Sequence, residues 1–218
     1  MTTAAQLIFL LEGVLFASVL FIQLMKKNSS AIALYVIQSL IVVVFLTESF
    51  LRQPTFMLLA VIAVVFAVKV CVAPYFFSQL IRKHRLTFSV STYLNTPMTL
   101  VIIAVLSSFA YSNIFSPLAA LSSDHEDAIH LAIAMMLVSL FLIVNRKGAL
   151  SQMIGILSLE NAIVSFSFLV GLEEASWLQL GILFDIAVWI IIASVFASIV
   201  YQHFGSLNVT EMRHLKEE

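Results

Sequence analysis

The sequence predicts an all-α fold, a polytopic bundle of about seven transmembrane helices with its N-terminus outside and its C-terminus in the cytoplasm. The first observation is composition: 61% of the 218 residues are hydrophobic and 11% are charged, against roughly 25% charged in an ordinary soluble domain. The second is that the apolar runs reach the length of about 20 residues that crosses a bilayer. The third is that segments of about 10 residues with alternating polarity, typical of an outer-membrane barrel, do not occur in the sequence.

Seven apolar runs are predicted to be spans. The first run has no basic n-region and no small-residue cleavage site, so we expect a retained helix rather than a signal peptide. The fourth is the weakest, because serines, an asparagine and a proline interrupt it. The predicted spans cover residues 5–25, 31–51, 55–81, 97–116, 128–145, 150–171 and 178–202.

Basic residues divide unevenly between the loops on the two sides of the predicted bundle. The segments "KKNSS", "RKHR" and "NRKG", together with the C-terminal tail, contain nine of the eleven Lys and Arg residues. The opposite loops, "RQP", "SSDHED" and "LEEASW", contain one of the remaining two, Arg52. The other, Lys69, lies inside a span. Because cytoplasmic loops carry an excess of basic residues, the first set is expected in the cytoplasm. This orientation agrees with an odd number of spans.

Five ionisable groups lie inside the predicted spans: Glu12, Glu48, Lys69, Glu160 and Asp185. A charge at the centre of a transmembrane helix costs about 2.5–3.5 kcal/mol on insertion scales, and such residues mark ion and proton pathways. For each group, a functional interpretation competes with a structural one in which the charge joins two helices.

Glu48 and Glu12 have the simpler explanations. Glu48 lies four residues before Arg52 at the outer end of its span, where an i,i+4 ion pair accounts for it. Glu12, followed by Gly13, either faces a partner helix or extends to the outer interface. Both remain further candidates for a proton relay.

Lys69 lies at the middle of span 3, too deep to reach the interface easily. Pro74 follows five residues later and removes the hydrogen bond to the carbonyl of Val70. We therefore expect a bent helix with a free acceptor beside the lysine. Lys69 is then either half of a structural Lys–Glu pair or a proton site, because a desolvated lysine titrates readily.

Glu160 and Asp185 are the deep acids of the C-terminal half. Glu160 lies near the centre of span 6 beside Asn161, whose amide can hydrogen-bond a neighbouring helix. Asp185 lies in span 7, one turn from Gly181, which would let another backbone approach closely. For both acids the alternatives are a helix–helix contact and a carboxyl group that takes up and releases protons.

Enzyme, metal and nucleotide motifs are absent from the sequence. The single cysteine, Cys71, supplies neither a disulfide framework nor a zinc site. No Gly-rich phosphate loop, HExxH motif or nucleophile elbow occurs. We therefore expect that the chain is not an enzyme and binds no metal or cofactor itself. We also expect it to contact the lipid bilayer and not to bind nucleic acid.

The segment "RKGALSQMIGILSLENAIVSF" resembles the second helix of the small three-helix K subunit of bacterial respiratory complex I. The shared features are a basic pair before the helix, a Met-Ile-Gly turn ending at Gly155, and Asn-Ala six to seven residues later. In the K-subunit pattern the proton-carrying glutamate falls at the position of Leu157, whereas this chain has Glu160, about one turn later on nearly the same face. Asp185 would take the place of the second glutamate of the K subunit.

The spacing from Gly155 to Glu160 and Asn161 is more similar to the E component of hydrogenase-4, a membrane subunit of group 4 nickel–iron hydrogenase complexes. The mid-helix Lys69 followed by Pro74, the run "LGILFDIAV" and the tail "GSLNV" also resemble that family. The resemblance extends over most of the chain and is densest in its C-terminal third.

The resemblance implies a non-catalytic subunit of a respiratory hydrogenase or complex I-like assembly in a bacterial or archaeal cytoplasmic (inner) membrane. Its neighbours would be antiporter-like and complex I-like membrane subunits, and peripheral subunits would hold the nickel–iron site and the iron–sulfur clusters. In this chain, Lys69, Glu160 and Asp185 would form part of a proton path. The chain would divide into a four-helix part at 1–122, a three-helix part resembling the K subunit at 123–204, and a cytoplasmic tail at 205–218.

Other functions remain open at this point. A purely structural subunit would use the same buried charges to fix helix packing, and a stand-alone ion or solute transporter would need no partners. A retinal-binding photoreceptor is disfavoured because the last span contains no lysine.

Overall fold

The structure is a computed structural model that describes residues 3–83, 91–122 and 125–172, together with 175, 179–184, 187, 191, 194–195 and 198. Within these residues the chain forms α-helices, a π-helical segment and one isolated antiparallel bridge, with no strands. The helices are α1 (Thr3–Leu24), α2 (Asn28–Arg52), α3 (Phe56–Val65), the π-helical segment (Phe66–Val72), α4 (Ala73–Lys83), α5 (Thr96–Ala110), α6 (Ser116–Ala119), α7 (Glu126–Asn145) and α8 (Ala149–Leu169).

Five helices of the described part are long and apolar enough to cross a membrane. They are α1, α2, the continuous helix formed by α3, the π-helical segment and α4, and then α7 and α8. The predicted all-α architecture is confirmed, and these five helices are candidate spans by their length and composition. A span of this kind must satisfy its backbone hydrogen bonds within itself, because lipid offers no partners.

Two helix starts follow directly from the local sequence. The Thr55 side chain accepts a hydrogen bond from the N–H of Leu58 ahead of α3. The Asn95 side chain accepts one from the N–H of Met98 ahead of α5. Pro97 lies in the first turn of α5, where backbone N–H groups have no partner within the helix, so the proline removes no hydrogen bond. Both caps supply partners for N–H groups that a helix start leaves free.

The third span changes its helical type around Lys69. α3 continues into the π-helical segment and then into α4 without a break. In a π-helix each N–H bonds to the carbonyl five residues earlier, and the N–H of Ala73 reaches the carbonyl of Val68 in this way. The next residue, Pro74, has no N–H to give to Val70. The wider turn therefore ends next to the proline, and Lys69 lies in its middle.

Arg146 caps the end of α1. Its Nη1 donates to the carbonyl of Met25 at 3.2 Å and its Nη2 donates to the carbonyl of Ile22. The side chain is 2% exposed, and burial lowers the pKa of the Arg146 guanidinium to about 10. It therefore stays charged at neutral pH, where a cation is favourable beside the free carbonyls of a helix C-terminus. The predicted basic loop "NRKG" thus contains a buried structural cation.

The segment before α5 is fastened to the same end of the bundle. The N–H of Tyr93 donates to the carbonyl of Asn145 at 3.0 Å, and the N–H of Lys147 donates to the carbonyl of Ser91 at 3.1 Å. The Lys147 ammonium lies 5.1 Å from the centre of the Tyr93 ring. The loops that follow the first, third and fifth predicted spans therefore meet at one end, as the division of basic residues indicated.

The fourth predicted span is shorter than expected. The sequence predicted a helix over 97–116, but α5 ends at Ala110 and the chain then forms turns before the four residues of α6. Fifteen residues of α-helix extend about 22 Å. Serine and asparagine residues at this point favour turns over helix, and His130 Nδ1 contacts the carbonyl of Ala110 at 2.8 Å, which fixes the end of α5 against α7. The seventh predicted span, 178–202, lies mostly outside the described residues.

α8 is the most buried of the five candidate spans. It packs against α7, α2 and α1. In its apolar stretch 67% of the residues are buried, compared with 28% for the third span. Helices α8 and α7 approach each other closely at Gly155, where an added Cβ would lie 2.9 Å from Ile143 Cγ1 of α7. Because neighbouring helices surround α8, its polar side chains must find their partners on those helices.

Candidate functional site

Lys69 and Glu160 form a buried ion pair between the third span and α8. Lys69 Nζ lies 3.0 Å from Glu160 Oε2, and the two residues are 2% and 9% exposed. The other described ion pair, between Glu48 and Arg52, lies on the surface. Removing two charges from water is strongly unfavourable unless their geometry is good and their other hydrogen-bonding capacity is also used. The surroundings of the pair therefore matter as much as its distance.

Asn161 supplies a second acceptor for the lysine. Lys69 Nζ donates to Asn161 Oδ1 at 3.1 Å, and Asn161 Nδ2 donates to Ser39 Oγ of α2 at 3.3 Å. Asn161 and Ser39 are both fully buried. Only the amide oxygen can accept from an ammonium, so the contact with α2 holds the amide in the orientation that Lys69 needs.

A second layer of polar side chains lies beside the ion pair. Ser158 Oγ donates to Gln38 Oε1 at 2.9 Å, and both residues are completely buried between α8 and α2. Tyr35, also fully buried, lies beside Ser39 and close enough to Glu160 to interact with its charge. The pair is therefore enclosed by hydroxyl and amide groups of α2 and is separated from lipid on that side.

Glu12 lies in a separate contact with the same helix. It is 0% exposed, and Ser165 Oγ of α8 donates a hydrogen bond to its Oε2. Its Oε1 has no hydrogen-bond partner among the described residues. Of the two arrangements left open for Glu12, the structure shows the one in which the side chain faces a partner helix.

The remaining predicted residues lie apart from this site or outside the description. Glu48 Oε1 is 3.2 Å from Arg52 Nη2, the i,i+4 pair that the spacing predicted. A Cβ added to Gly181 would meet no described atom within 4 Å. Asp185 falls outside the described residues, so its predicted place in a relay stays a prediction.

The structure thus brings together Lys69, Glu160 and Asn161, which are separated by about 90 residues of sequence. Glu12 of α1 contacts α8 at Ser165, about one turn further along that helix. Glu48 lies elsewhere, at an exposed helix end. Pro74 and Gly155 lie outside the ion pair itself. Pro74 follows the π-helical segment that contains Lys69, and Gly155 lies where α8 packs closely against α7.

Sequence reasoning missed the hydroxyl and amide groups that surround the charges. On α8, Ser151, Ser158 and Ser165 recur at seven-residue intervals, which places them on one face of a helix. Each donates a hydrogen bond to a side chain on another helix. This periodicity was a readable signal. Nothing comparable marks Gln38 and Ser39, which are isolated polar residues in an apolar run.

Within the described part of the chain, no group of three His, Cys, Asp or Glu residues is placed to hold a metal ion. The one cysteine, Cys71, is exposed. What the described site offers chemically is a carboxylate beside an ammonium in a buried, hydrogen-bonded enclosure. Such a pair can exchange a proton when the distance between its charges changes.

Comparisons with known proteins give one similarity. No family model and no solved structure matches the chain. It is similar to the uncharacterized protein Rv0085 of Mycobacterium tuberculosis, with 28% identity over 162 residues, which are 73% of this chain and 73% of that protein. That protein's name states no activity, so any functional conclusion must come from the residues.

Proposed function

We propose that this chain is a non-catalytic membrane subunit of a respiratory hydrogenase or complex I-like assembly, and that Lys69, Glu160 and Asn161 form a proton-binding site in it. Electron transfer would take place in partner subunits, at a nickel–iron site and iron–sulfur clusters. The observation that carries the proposal is the buried Lys69–Glu160 pair on a segment that resembles the proton-carrying helix of the complex I K subunit.

The pair has the properties that a switchable proton site needs. A nearby cation favours the ionised form of a carboxyl group, and desolvation favours the neutral form. At a separation of 3.0 Å the cation effect is strong. If Lys69 moved away, Glu160 would take up a proton, and the return of Lys69 would release it. Asn161 gives the ammonium a second acceptor when it is close to Glu160, and the charge of this acceptor does not change with protonation.

Association with partners is the first test. We expect the chain, purified in mild detergent from its own membranes, to come with antiporter-like membrane subunits and a peripheral iron–sulfur hydrogenase module. The isolated chain should show no chromophore and no hydrogenase activity. Recovery of the chain alone, active as a transporter in liposomes, would refute this assignment and favour the transporter alternative.

The second test is the replacement of Glu160 by glutamine in the whole complex. Glutamine keeps the size and the hydrogen bonds of the side chain but cannot titrate, so Glu160→Gln should leave the complex assembled. Proton uptake per hydrogen molecule produced, measured in inverted vesicles, should fall, because residue 160 can no longer bind and release a proton. Glu160→Asp should keep part of the uptake.

The exposed Glu48 provides the matched control, because Glu48→Gln removes a carboxylate whose partner lies at the surface. Its proton uptake should stay close to that of the natural chain. An assembled Glu160→Gln complex with normal uptake would instead support the second candidate, a purely structural subunit. That candidate is favoured by one observation: Lys69 already has two well-placed acceptors, as a fixed helix–helix contact requires.

A further inference from the structure

Glu12 is a buried acid that the Lys69–Glu160 pair does not use. It lies in α1 at 0% exposure, and Ser165 donates to its Oε2. Its Oε1 has no partner within the described residues. An ionised carboxylate in this position would be a buried charge held by a single hydrogen bond, which is a strongly unfavourable arrangement.

No described cation compensates for a charge on Glu12. α1 packs against α2, α5, α7 and α8, and α5 contains no ionisable side chain. The two described ion pairs on or against these helices join other residues, Glu48 to Arg52 and Lys69 to Glu160. The remaining titratable side chains of α2 and α7 make no described ion pair with Glu12; they are Tyr35, Glu126, Asp127 and His130.

We propose that Glu12 is a second proton-binding site, which holds its proton as a neutral carboxylic acid, with Ser165 as its positioning residue. The Ser165 hydroxyl donates to Oε2, so the carboxyl proton is carried by Oε1, the oxygen that has no described partner. The ligand is a proton alone. One O–H bond forms when it binds and breaks when it leaves, and no electron moves.

α8 connects this second site to the ion pair. Ser165 lies four residues after Asn161, which is about 6 Å along the helix axis and on the same face. Asn161 in turn holds Lys69. The contact of Glu12 with α8, at Ser165, therefore lies about one helical turn from the contact of Lys69 with Asn161. A role for Glu12 in translocation rests on the proposed function, whereas the neutral state of Glu12 is a property of the chain itself.

The test is infrared spectroscopy of the full-length chain in lipid bilayers at neutral pH, in ordinary and in heavy water. A protonated carboxyl group gives a C=O stretching band separate from that of carboxylates. We expect this band in the natural chain, a loss of its intensity in Glu12→Gln and its retention in Glu160→Gln. Ser165→Ala should shift the band to higher frequency, because the C=O group loses a hydrogen bond.

Ser167→Ala is the matched control. Ser167 is a buried serine on the same helix, and its hydroxyl donates to the carbonyl of Ile163 in its own helix at 2.8 Å. Its removal should leave the band unchanged. The proposal is overturned if the band keeps its full intensity in Glu12→Gln, or is lost in Glu160→Gln instead.

If Glu12→Gln does not fold, Ser165→Ala decides, and an unshifted band in that variant overturns the proposal. The result is independent of proton pumping. A whole complex that pumps normally with Glu160→Gln would refute the proposed function and leave the expected Glu12 band as it is.

Discussion

At Lys69 one ammonium meets two acceptors on consecutive residues of another helix. Glu160 supplies a charge at 3.0 Å and Asn161 supplies an amide oxygen at 3.1 Å. These acceptors are not equivalent, because only the carboxylate changes its charge. Lys69 therefore joins the third span to α8. Protonation of Glu160 would remove one of the two interactions that hold the Lys69 ammonium group.

Removal of the lysine alone should be costly. Lys69→Met leaves the Glu160 carboxylate buried without a cation, and breaking a buried pair from one side typically costs about 3–5 kcal/mol. The double variant Lys69→Met with Glu160→Gln removes both charges, so it should recover most of the lost stability. The measurement is the free energy of unfolding in mixed detergent micelles.

The exposed pair provides the comparison at the same scale. Arg52→Met breaks an ion pair whose side chains are 53% and 45% exposed, and such surface pairs contribute less than about 1 kcal/mol. If Lys69→Met proves no more destabilising than Arg52→Met, or if the double variant is no more stable than Lys69→Met, Lys69 and Glu160 do not form a buried ion pair.

At the scale of helices, α8 positions the site through its fit against α7. Gly155 lies close to Leu142 and Ile143 of α7, and an added Cβ would be 3.3 Å from the backbone nitrogen of Ile143. Five residues later the same helix presents Glu160 to the third span. A small shift of α8 away from α7 would therefore change the distances around Lys69.

Gly155→Ala should accordingly destabilise the α7–α8 contact. An added methyl group in a close-packed interface costs about 1–3 kcal/mol, which exceeds the gain of up to about 1 kcal/mol that alanine brings within a helix. The free energy of unfolding in detergent should fall. In the control variant Gly13→Ala the added Cβ meets no atom of the described residues within 4 Å, so stability should stay equal or rise. Equal behaviour of the two variants would contradict the close approach at Gly155.

At the scale of the whole molecule, the basic loops define one end of the bundle. Arg146 donates to carbonyls at the end of α1, and the N–H of Lys147 donates to Ser91 in the segment before α5. These contacts join three loops that the sequence places on one side of the membrane. Because basic loops face the cytoplasm, we expect this end to be cytoplasmic.

Reporter fusions test this orientation. A reporter that is active only in the cytoplasm should be active after Lys27, Arg85, Lys147 and Glu218, and silent near Arg52, Glu126 and Glu174. The physical reason is the nine-to-one division of loop basic residues between the two sides. Activity near Glu126 together with silence after Lys147 would reverse the orientation of α7 and refute the seven-span topology.

The sequence by itself determined the five long apolar helices and the charges that lie inside them. These features are local: an apolar run of sufficient length must become a helix in lipid, and a charge within it must find a partner. The i,i+4 pair of Glu48 and Arg52 was readable for the same reason, since both residues lie on one helix. The weakness of the fourth predicted span was readable from its serine, asparagine and proline residues, but the residue at which α5 ends was not.

Only the tertiary structure decided which acid meets the lysine. Glu12 and Glu160 are both deep acids in the sequence, yet Glu160 pairs with Lys69 while Glu12 receives a serine hydroxyl. That choice depends on how each helix is rotated and how far it is displaced along its neighbours. Apolar side chains give little information on the rotation or the displacement of a helix, because contact with lipid and contact with another helix are similarly favourable for them. Rotation and displacement are instead fixed by close packing at residues such as Gly155 and by hydrogen bonds between helices, whose partners are far apart in the sequence.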